Sequence, residues 1–286
     1  MSDERLITGK ARLAGVMGWP VAHSRSPQLH NYWLERYAID GAYVPLAVAP
    51  ENLATALAAL AQLGFRGCNV TLPHKEAVLR LVDTVDRAAE RIGAVNTVVV
   101  DDDGRLHGSN TDAFGFVEAL RAGAPALDAT AAPAVLVGAG GAARAIAVAL
   151  LDAGVPELRL VNRTRARAEA LRDSLAAAIR VIDWERRAAA LDGAGLLVNS
   201  SSLGMAGQPA LDLDLGRLPA ASVVMDAVYV PLQTPMLAEA RQLGHTAVDG
   251  LGMLLHQARP GFARWFGREP EVDDALRTHV VAGLEG

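Results

Sequence analysis

Short apolar runs alternate with amphipathic stretches along most of the chain. In the second half, runs such as Leu158–Val161 and Leu196–Asn199 are separated by segments whose apolar residues recur with helical spacing. A short continuous apolar run is typical of a strand buried on both faces, and its alternation with helices is typical of a parallel, doubly wound sheet. The pattern therefore predicts an α/β fold. Further strands are predicted at Val135–Val137, Ile179–Ile182, Val223–Ala227 and Thr246–Val248.

The first third of the chain shows the same alternation and ends in a predicted hairpin. Asp101–Gly104 is a turn signal between two apolar runs, Ala94–Val100 and Arg105–His107. Ser26 is predicted to cap a helix over Pro27–Ala38, because a serine suits the cap and a proline suits the first helical position. The remaining predictions are strands at Leu13–Met17, Tyr43–Val48 and Cys68–Leu72 and helices at Glu51–Leu63, His74–Val82 and Asp112–Arg121.

A glycine-rich turn follows the strand Val135–Val137. Gly138 permits a tight turn, and Gly140 lets the backbone approach a pyrophosphate that sits on the N-terminus of the next helix. The third position of this dinucleotide-binding fingerprint is Ala143, which is an accepted variant. The turn therefore predicts a Rossmann-type domain that binds a dinucleotide.

The segment after the next strand indicates which dinucleotide is preferred. An NAD site places Asp or Glu about 20 residues beyond the glycine turn, where the carboxylate binds the ribose 2′-hydroxyl. This chain has Asn162, Arg163 and Thr164 near that position, and Arg165 and Arg167 follow them. Guanidinium groups suit a 2′-phosphate, so the sequence predicts NADP as the cofactor.

Composition and charge narrow the class of protein. The chain of 286 residues carries a net charge of −5, which argues against nucleic-acid binding. Its apolar stretches are interrupted before they could span a membrane, and its first ten residues lack the apolar core of a signal peptide. Cys68 is the only cysteine, so no intrachain disulfide can form, and we expect a reducing, cytoplasmic location. No spacing of histidine and cysteine predicts a metal site.

Length favours two domains. The stretch Ala122–Pro133, rich in alanine, proline and glycine, marks a boundary between them. A last helix is predicted over Gly250–Ala263. We expect an interruption of this helix at Pro260, whose missing N–H forfeits a bond to the His256 carbonyl.

Four polar clusters lie at the ends of predicted strands, where open α/β sheets bind ligands. Ser24 and Ser26 lie at a helix N-terminus, which suits a carboxylate, although capping alone also explains Ser26. Lys75 lies in the first turn of a helix, so it is either a solvated surface lysine or a group held for acid–base chemistry. Asn96 either satisfies backbone groups at a turn or binds a ligand. Asp112 favours a helix start, and a functional role for it requires proximity to Lys75.

Taken together, these clusters resemble the shikimate dehydrogenase family over nearly the whole chain. The ordered set of matching strings is far more specific than any one of them, since GAGGAARA alone fits many dehydrogenases. One departure is the serine-rich Asn199–Ser202, where the family usually has Asn-Ala/Cys-Thr-Ser. The strings are GWPVAHSRSPQLHN, NVTLPHK, GAVNT, GSNTD, GAGGAARA, NRT, DAVYVPLQT and GLGMLLHQA.

The resemblance implies an α/β protein of two domains. Residues 1–112 and 250–286 would form a substrate domain with a mostly parallel sheet, to which a C-terminal helix returns. Residues 113–249 would form the Rossmann-type NADP-binding domain. The implied activity is reversible reduction of 3-dehydroshikimate to shikimate with NADPH.

The resemblance also assigns roles to individual residues. Lys75 and Asp112 would form the catalytic pair. Substrate binding would involve Ser24, Ser26 and Tyr229 at the carboxylate and Thr71, Asn96, Asp112 and Gln257 at the ring hydroxyls. Cofactor binding would involve Gly138, Ala139, Gly140, Gly141 and Ala142 at the pyrophosphate, Asn162, Arg163, Thr164 and Arg167 at the 2′-phosphate, and Gly250 and Met253 near the nicotinamide.

Two alternatives stay open at this point. A quinate/shikimate dehydrogenase would accept an extra hydroxyl and often use NAD, against which Arg163 and Arg167 argue. A non-catalytic sensor of shikimate or quinate could dispense with Lys75 and Asp112, and both are present. In each case the predicted partner is a small molecule, with neither nucleic acid nor membrane involved. The chain is also compatible with a homodimer.

Overall fold

Two six-stranded sheets, each in its own compact unit, organise the chain. The structure is a computed structural model that describes residues 7–175 and 177–284. One unit comprises Met1–Thr111 with Gln257–Gly286, and the other comprises Asp112–His256. The units thus divide at 111/112 and 256/257, whereas the sequence places the domain limits at 112/113 and 249/250.

The first unit contains a mixed sheet with the strand order β2-β1-β3-β5-β6-β4. β1 runs parallel to β2 and β3, β4 runs parallel to β6, and β5 is antiparallel to both of its neighbours. The strands are β1 (Arg12–Gly18), β2 (Gly41–Ala47), β3 (Phe65–Val70), β4 (Thr84–Val85), β5 (Thr97–Val100) and β6 (Leu106–Ser109). The helices between them are α1 (Ser26–Arg36), α2 (Leu53–Gln62), α3 (Lys75–Val78) and α4 (Arg87–Ile92).

The second unit contains a fully parallel sheet. Its strands are β7 (Ala134–Val137), β8 (Leu158–Val161), β9 (Ile179–Ile182), β10 (Leu196–Asn199), β11 (Val223–Asp226) and β12 (Thr246–Val248). Its helices are α5 (Asp112–Gly123), α6 (Gly141–Asp152), α7 (Arg165–Leu175) and α8 (Pro235–Gln242). The order β12-β11-β10-β7-β8-β9 is that of a Rossmann fold, whose strand order reverses between β7 and β10.

The apolar strands of the second sheet are buried on both faces, as their composition predicts. Val135 and Val137 pack into one hydrophobic core, whereas Ala134 and Leu136 pack into another. Successive residues of a strand point to opposite faces, so a strand between two cores must be apolar throughout. The α/β fold and its Rossmann-type sheet are confirmed.

The start of α1 differs from the prediction. Ser26 is the first residue of the helix and not its cap, and Arg25 precedes the helix without a side-chain capping bond. The hydroxyl of Ser24 lies 3.4 Å from the backbone nitrogen of Ser26 and accepts its hydrogen bond. Ser24 therefore accepts a backbone N–H at the helix start from two residues earlier. The prediction that Ser26 caps the helix is wrong.

The helix predicted over His74–Val82 is shorter than expected. α3 ends at Val78, and the chain then enters β4, which pairs with β6 through Thr84 and His107. The backbone nitrogen of Asp83 donates to the Leu106 carbonyl at 2.9 Å. Pairing with the sheet thus ends the helix, and the sequence pattern missed both β4 and α4.

Pro260 does not interrupt the last predicted helix. α9 (Leu251–Phe266) continues through it, beginning in the second unit and ending in the first, and α10 (Asp274–Ala282) follows in the first unit. Phe262 and Trp265, beyond the proline, are almost completely buried. Burying these two side chains offsets the roughly 3 kcal/mol that an interior proline costs a helix.

A cluster of aromatic rings surrounds His30 in the core of the first unit. The imidazole stacks on Tyr43 with ring centroids 4.0 Å apart, and Trp33, Phe262 and Trp265 lie within 5.9 Å. His30 is fully buried, and neither ring nitrogen has a hydrogen-bond partner within the described residues. Burial lowers the pKa of His30 to about 3, so the folded protein holds this ring neutral.

Replacing His30 with phenylalanine should remove a pH-dependent loss of stability while keeping the ring stacking. The unfolded chain protonates His30 near pH 6.5, whereas the folded chain keeps it neutral until the pH approaches about 3. The free energy of unfolding of the wild type should therefore fall relative to that of His30→Phe by about 2 kcal/mol between pH 7 and pH 5. Urea unfolding of both proteins at both pH values measures this difference.

The exposed His23 supplies a control, because His23→Phe should leave the pH dependence as in the wild type. Parallel stability curves for the wild type and His30→Phe would contradict the burial argument.

Candidate functional site

Three strand ends of the first unit meet at one edge of its sheet. β5 is antiparallel to β3 with Asn69 opposite Thr97, so residues after β3 and residues before β5 lie at the same edge. Thr97 also lies opposite Ser109, at the end of β6. This register brings the predicted substrate-binding residues Thr71 and Asn96 to a common edge.

Asn96 is the centre of a hydrogen-bond network at this edge. Its Oδ1 accepts from the backbone nitrogen of Thr111 and from the hydroxyl of Thr97, each at 2.9 Å, and its Nδ2 donates to Thr111 Oγ1 at 3.1 Å. All three residues are buried. The amide therefore ties the end of β6 to the start of β5, and its orientation is determined.

Tyr43 and Asn69, to which the sequence assigned no role in the site, extend this hydrogen-bond network. The hydroxyl of the buried Tyr43 donates to Asn69 Oδ1 at 2.6 Å, and Asn69 Nδ2 donates to Thr97 Oγ1 at 3.1 Å and to the Asn96 carbonyl at 3.2 Å. Burial raises the pKa of Tyr43 well above its usual value, so its hydroxyl stays protonated and remains a donor.

Lys75 is the first residue of α3, where the sequence placed it. Its carbonyl accepts from the backbone nitrogen of Val95 at 2.8 Å, and the ring Nε2 of His74 lies 2.8 Å from the Val48 carbonyl. Lys75 is half-buried. These two contacts anchor its backbone next to the segment that leads into Asn96.

The predicted catalytic and substrate-binding residues are divided between the units. Ser24 and Ser26 lie between β1 and the first turn of α1 and are half-buried, as is Gln257 in α9. The residues in the first unit are Ser24, Ser26, Thr71, Lys75, Asn96 and Gln257. Asp112, at the start of α5, and Tyr229, after β11, belong to the second unit.

A cavity of about 380 Å³ opens where the strand order of the second sheet reverses. It lies at the carboxyl ends of β7, β8 and β10, which is where doubly wound sheets bind nucleotides. Gly141 and Ala142 form the first turn of α6 beside it. The predicted cofactor residues that line the cavity are Gly138, Ala139, Gly140, Asn162, Arg163, Thr164 and Arg167.

The glycine turn is shaped for close approach. Gly138 has φ +113°, and a Cβ there would lie 2.6 Å from Ser200 Oγ, so this position requires glycine. A Cβ at Gly140 or Gly141 would meet no atom within 4 Å, and open space therefore borders the N-terminus of α6. A helix N-terminus with unobstructed backbone N–H groups fits a pyrophosphate.

The arginines after β8 differ sharply in their partners. Arg165 forms ion pairs with Asp183 and, at 2.9 Å, with Glu169. Arg163 and Arg167 line the cavity and are exposed, and neither forms an ion pair with any described residue. The cavity thus presents two guanidinium groups that pair with no described carboxylate, which suits a 2′-phosphate.

Part of the cavity wall was not predicted from the sequence. Trp184 follows β9, and the Arg187 guanidinium lies 4.9 Å from its ring centroid while donating to Asp212. The serines after β10 belong to Asn199–Ser202, the segment in which the sequence departs from the family's usual string, whereas no local pattern distinguishes Trp184. The additional wall residues are Val137, Trp184, Ser200, Ser201, Ser202, Leu203, Gln208 and Pro209.

The two residues expected near a nicotinamide lie at the start of α9. A Cβ at Gly250 would lie 2.3 Å from the Ala227 carbonyl oxygen, so only glycine allows this close approach to the end of β11. Met253 is 7% exposed and packs into the core of the second unit with Met225 and Val248. Packing alone therefore accounts for Met253.

Metal binding and membrane insertion each require a recognisable arrangement of residues. Across residues 7–175 and 177–284, no group of three or more histidine, cysteine or acidic side chains is arranged to hold a metal ion. The helices in this part of the chain are too short or too polar to cross a membrane.

Family models match three successive parts of the chain. Residues 16–98 match the shikimate dehydrogenase substrate binding domain, residues 122–204 match shikimate / quinate 5-dehydrogenase, and residues 250–278 match the shikimate 5′-dehydrogenase C-terminal domain. The shikimate dehydrogenase (NADP(+)) of Paramagnetospirillum magneticum is 61% identical over 276 residues, which cover 96% of this chain and 100% of that protein.

Solved structures are similar over nearly the whole chain. Shikimate 5-dehydrogenase from Thermus thermophilus, in complex with NADP(H) and shikimate, is 39% identical with a TM-score of 0.83, covering 95% of this chain and 99% of its own. Quinate dehydrogenase from Corynebacterium glutamicum, in complex with NAD, is 34% identical with a TM-score of 0.88, covering 95% and 99%.

Removing either unpaired arginine should reduce the preference for a 2′-phosphate. We expect Arg163→Ala and Arg167→Ala each to weaken NADPH binding by roughly tenfold to a hundredfold, the effect of losing a hydrogen bond to a charged group. NADH binding should change by less than about twofold, because NADH has no 2′-phosphate for these groups to contact. Titration of nucleotide fluorescence measures both affinities.

Arg165→Ala is the matched control, since Arg165 already binds Asp183 and Glu169 and its loss should leave both affinities unchanged. Equal losses for NADPH and NADH, or a loss in Arg165→Ala as large as in its neighbours, would contradict the assignment.

Proposed function

The chain belongs to the shikimate dehydrogenase family, and we propose that it reversibly reduces 3-dehydroshikimate to shikimate with NADPH. The observation that carries this proposal is the convergence of Thr71, Lys75 and Asn96 at one edge of the first sheet. Their side chains carry a hydroxyl, an amine and an amide, which are groups that suit a polar ring. An oxidoreductase of this kind needs such hydrogen-bonding groups beside one group that handles a proton.

NADP is the cofactor for which the second unit is built. Bound in the cavity, the nucleotide supplies the hydride. The turn at Gly138 and the N-terminus of α6 would hold its pyrophosphate, while Arg163 and Arg167 would hold its 2′-phosphate. The curated relative with 61% identity is named for NADP(+), which supports the same choice.

Substrate recognition is assigned to hydroxyl, amide and carboxyl side chains. We assign the substrate carboxylate to Ser24, Ser26 and Tyr229, whose hydroxyls can donate to an anion. We assign the ring hydroxyls to Thr71, Asn96, Asp112 and Gln257. Among these, Asn96 has the best-defined orientation, because Thr97 and Thr111 hold its amide. Gly250 and Met253 remain the residues proposed near the nicotinamide.

Lys75 and Asp112 are proposed as the proton-handling pair. The Lys75 ammonium would donate a proton to the substrate oxygen during reduction, and its amine would take it back in the reverse direction. Asp112 would orient Lys75 and a substrate hydroxyl. Asp112 directly follows Thr111, whose backbone nitrogen is bound by Asn96 at 2.9 Å.

The scarcity of lysine makes Lys75 conspicuous. Only two of the 27 basic residues are lysines, Lys10 and Lys75, and the others are arginines. A guanidinium stays protonated in proteins, whereas a lysine side chain can act as a proton donor and, as the amine, as a proton acceptor. Lys75 is therefore the basic residue at this edge that is chemically able to exchange a proton.

Association and location are separate proposals. The ligands proposed here are small molecules. A homodimer and a cytoplasmic location stay predictions, which size-exclusion chromatography with light scattering and cell fractionation would measure.

Replacing Lys75 should abolish turnover but not substrate binding. We expect Lys75→Ala to lose most of its kcat, on the order of a hundredfold or more, because general acid–base catalysis is lost. Shikimate binding, measured by calorimetry, should stay within about tenfold because the hydroxyl and amide contacts remain.

Lys10→Ala removes the other lysine, which is exposed, and should retain wild-type kcat. Substantial turnover in Lys75→Ala would show that the role assigned to Lys75 is wrong.

A two-by-two matrix of substrates and cofactors tests the proposed function itself. Shikimate and quinate are each oxidised with NADP+ and with NAD+, and nucleotide absorbance is followed. We expect shikimate with NADP+ to give the highest kcat/KM, because Arg163 and Arg167 suit the 2′-phosphate. If quinate with NAD+ were fastest, the chain would be a quinate/shikimate dehydrogenase. If ligand binding occurred without any oxidation, it would be a sensor.

A further inference from the structure

A buried carboxylate at the end of β11 has no part in the function proposed above. Asp226 opens the string DAVYVPLQT and is 0% exposed. Its Oδ1 accepts from Asn199 Nδ2 at 2.9 Å and from the backbone nitrogen of Val228 at 3.0 Å, and its Oδ2 accepts from Thr234 Oγ1 at 2.7 Å. Burial raises the pKa of Asp226, and these three hydrogen bonds oppose that effect.

The three donors belong to three different segments of the second unit. Asn199 is the last residue of β10, Val228 lies in the loop that leads to Tyr229, and Thr234 caps α8 by accepting from the backbone nitrogen of Leu237. One carboxylate thus joins a neighbouring strand end, the following loop and the start of the next helix. A buried charge is retained at such a junction only if its partners satisfy it.

Asn199 extends this connection into the cofactor cavity. Its Oδ1 accepts from the backbone nitrogen of Ser201 at 3.0 Å and from the Ser201 hydroxyl at 2.7 Å, and its Nδ2 also donates to the Leu203 carbonyl at 3.0 Å. Ser201 and Leu203 line the cavity. The position of this wall therefore depends on an amide that Asp226 helps to orient.

The same strand end supports the residues proposed at the reacting end of the cofactor. A Cβ at Gly250 would lie 2.8 Å from the Asp226 carbonyl oxygen and 2.3 Å from that of Ala227. The loop to Tyr229 begins at the Val228 nitrogen that Asp226 binds. Displacing the end of β11 would consequently move the cavity wall, the Tyr229 loop and the Gly250 contact together.

We propose that Asp226 is a positioning residue for the cofactor site, acting through Asn199 on the Ser201–Leu203 wall. It touches neither cofactor nor substrate in this role. The proposal rests on the proposed function only in naming NADP as the nucleotide, since the contacts themselves lie within the second unit.

Asparagine is the informative substitution because it keeps the shape of the side chain. In Asp226→Asn, the amide oxygen can still accept from Asn199 and Val228, but the amide nitrogen now faces the Thr234 hydroxyl, whose proton loses its acceptor. The substitution keeps the shape of the side chain but replaces the charged acceptor of Asn199 with a neutral one. A role in cofactor positioning therefore predicts a selective loss of nucleotide affinity.

The experiment compares nucleotide and substrate binding in the full-length protein. We expect Asp226→Asn to weaken NADP+ binding by about tenfold or more, since strong hydrogen bonds to a charged group are lost. The KM for shikimate should change by less than about threefold, because the amide oxygen of the variant still accepts from the Val228 nitrogen and so holds the loop to Tyr229. Asp192→Asn is the matched control: Asp192 pairs with Arg217 in the same unit, and its loss should leave NADP+ binding unchanged.

Thr234 supplies a second pair of variants, which leave the Asp226 side chain itself in place. Thr234→Val removes one donor and should weaken NADP+ binding in the same direction, whereas Thr234→Ser keeps the hydroxyl and should restore wild-type affinity. A purely structural role would lower the melting temperature without this split between NADP+ and shikimate.

Several results would overturn the proposal. One is NADP+ affinity in Asp226→Asn within about threefold of the wild type, and another is an equal loss for both ligands. If Asp226→Asn fails to fold, equal NADP+ affinity in Thr234→Val and Thr234→Ser overturns it. If the wild type binds NADP+ but does not oxidise shikimate, the proposed function fails, while the binding measurements still decide the role of Asp226.

Discussion

The antiparallel register between β3 and β5 is the constraint on which the proposed substrate site depends. In a fully parallel sheet, the start of β5 would lie at the opposite edge from the end of β3, and Asn96 would be far from Thr71. Because β5 runs the other way with Thr97 opposite Asn69, a strand start and a strand end share one edge. A hydrogen-bond network then holds the amide of Asn96 in place.

The second unit uses parallel strands to reach a similar result. The carboxyl ends of β7, β8 and β10 lie together at the point of reversal, so a turn, an arginine segment and a serine loop surround one cavity. Electrostatics then separates the arginines: Asp183 and Glu169 neutralise Arg165, whereas Arg163 and Arg167 keep their charge for a ligand. The preference for a 2′-phosphate therefore depends on where the acidic residues lie as much as on where the arginines lie.

The sequence predicted the second unit far better than the first, for a physical reason. Strands such as Leu158–Val161 must be apolar on both faces, so the pattern alone locates them, and glycine chemistry at Gly138 locates the turn. β4 is two residues long and exists because the sheet pairs with it, which local patterning does not encode. Trp184 and Tyr43 likewise gain their places from tertiary packing. The prediction that Pro260 interrupts α9 is wrong, because the burial of Phe262 and Trp265 outweighs the local cost of a proline inside a helix.

The choice of arginine over lysine has a consequence for how the protein responds to alkaline solution. Lysine side chains lose their charge near pH 10, whereas guanidinium groups stay charged beyond about pH 12. The ion pairs that Arg187 forms with Asp212 and Arg217 forms with Asp192 therefore persist where lysine pairs would dissolve. With 25 of its 27 basic residues as arginine, the chain keeps nearly all of its positive charge through a range in which a lysine-rich protein would become strongly anionic.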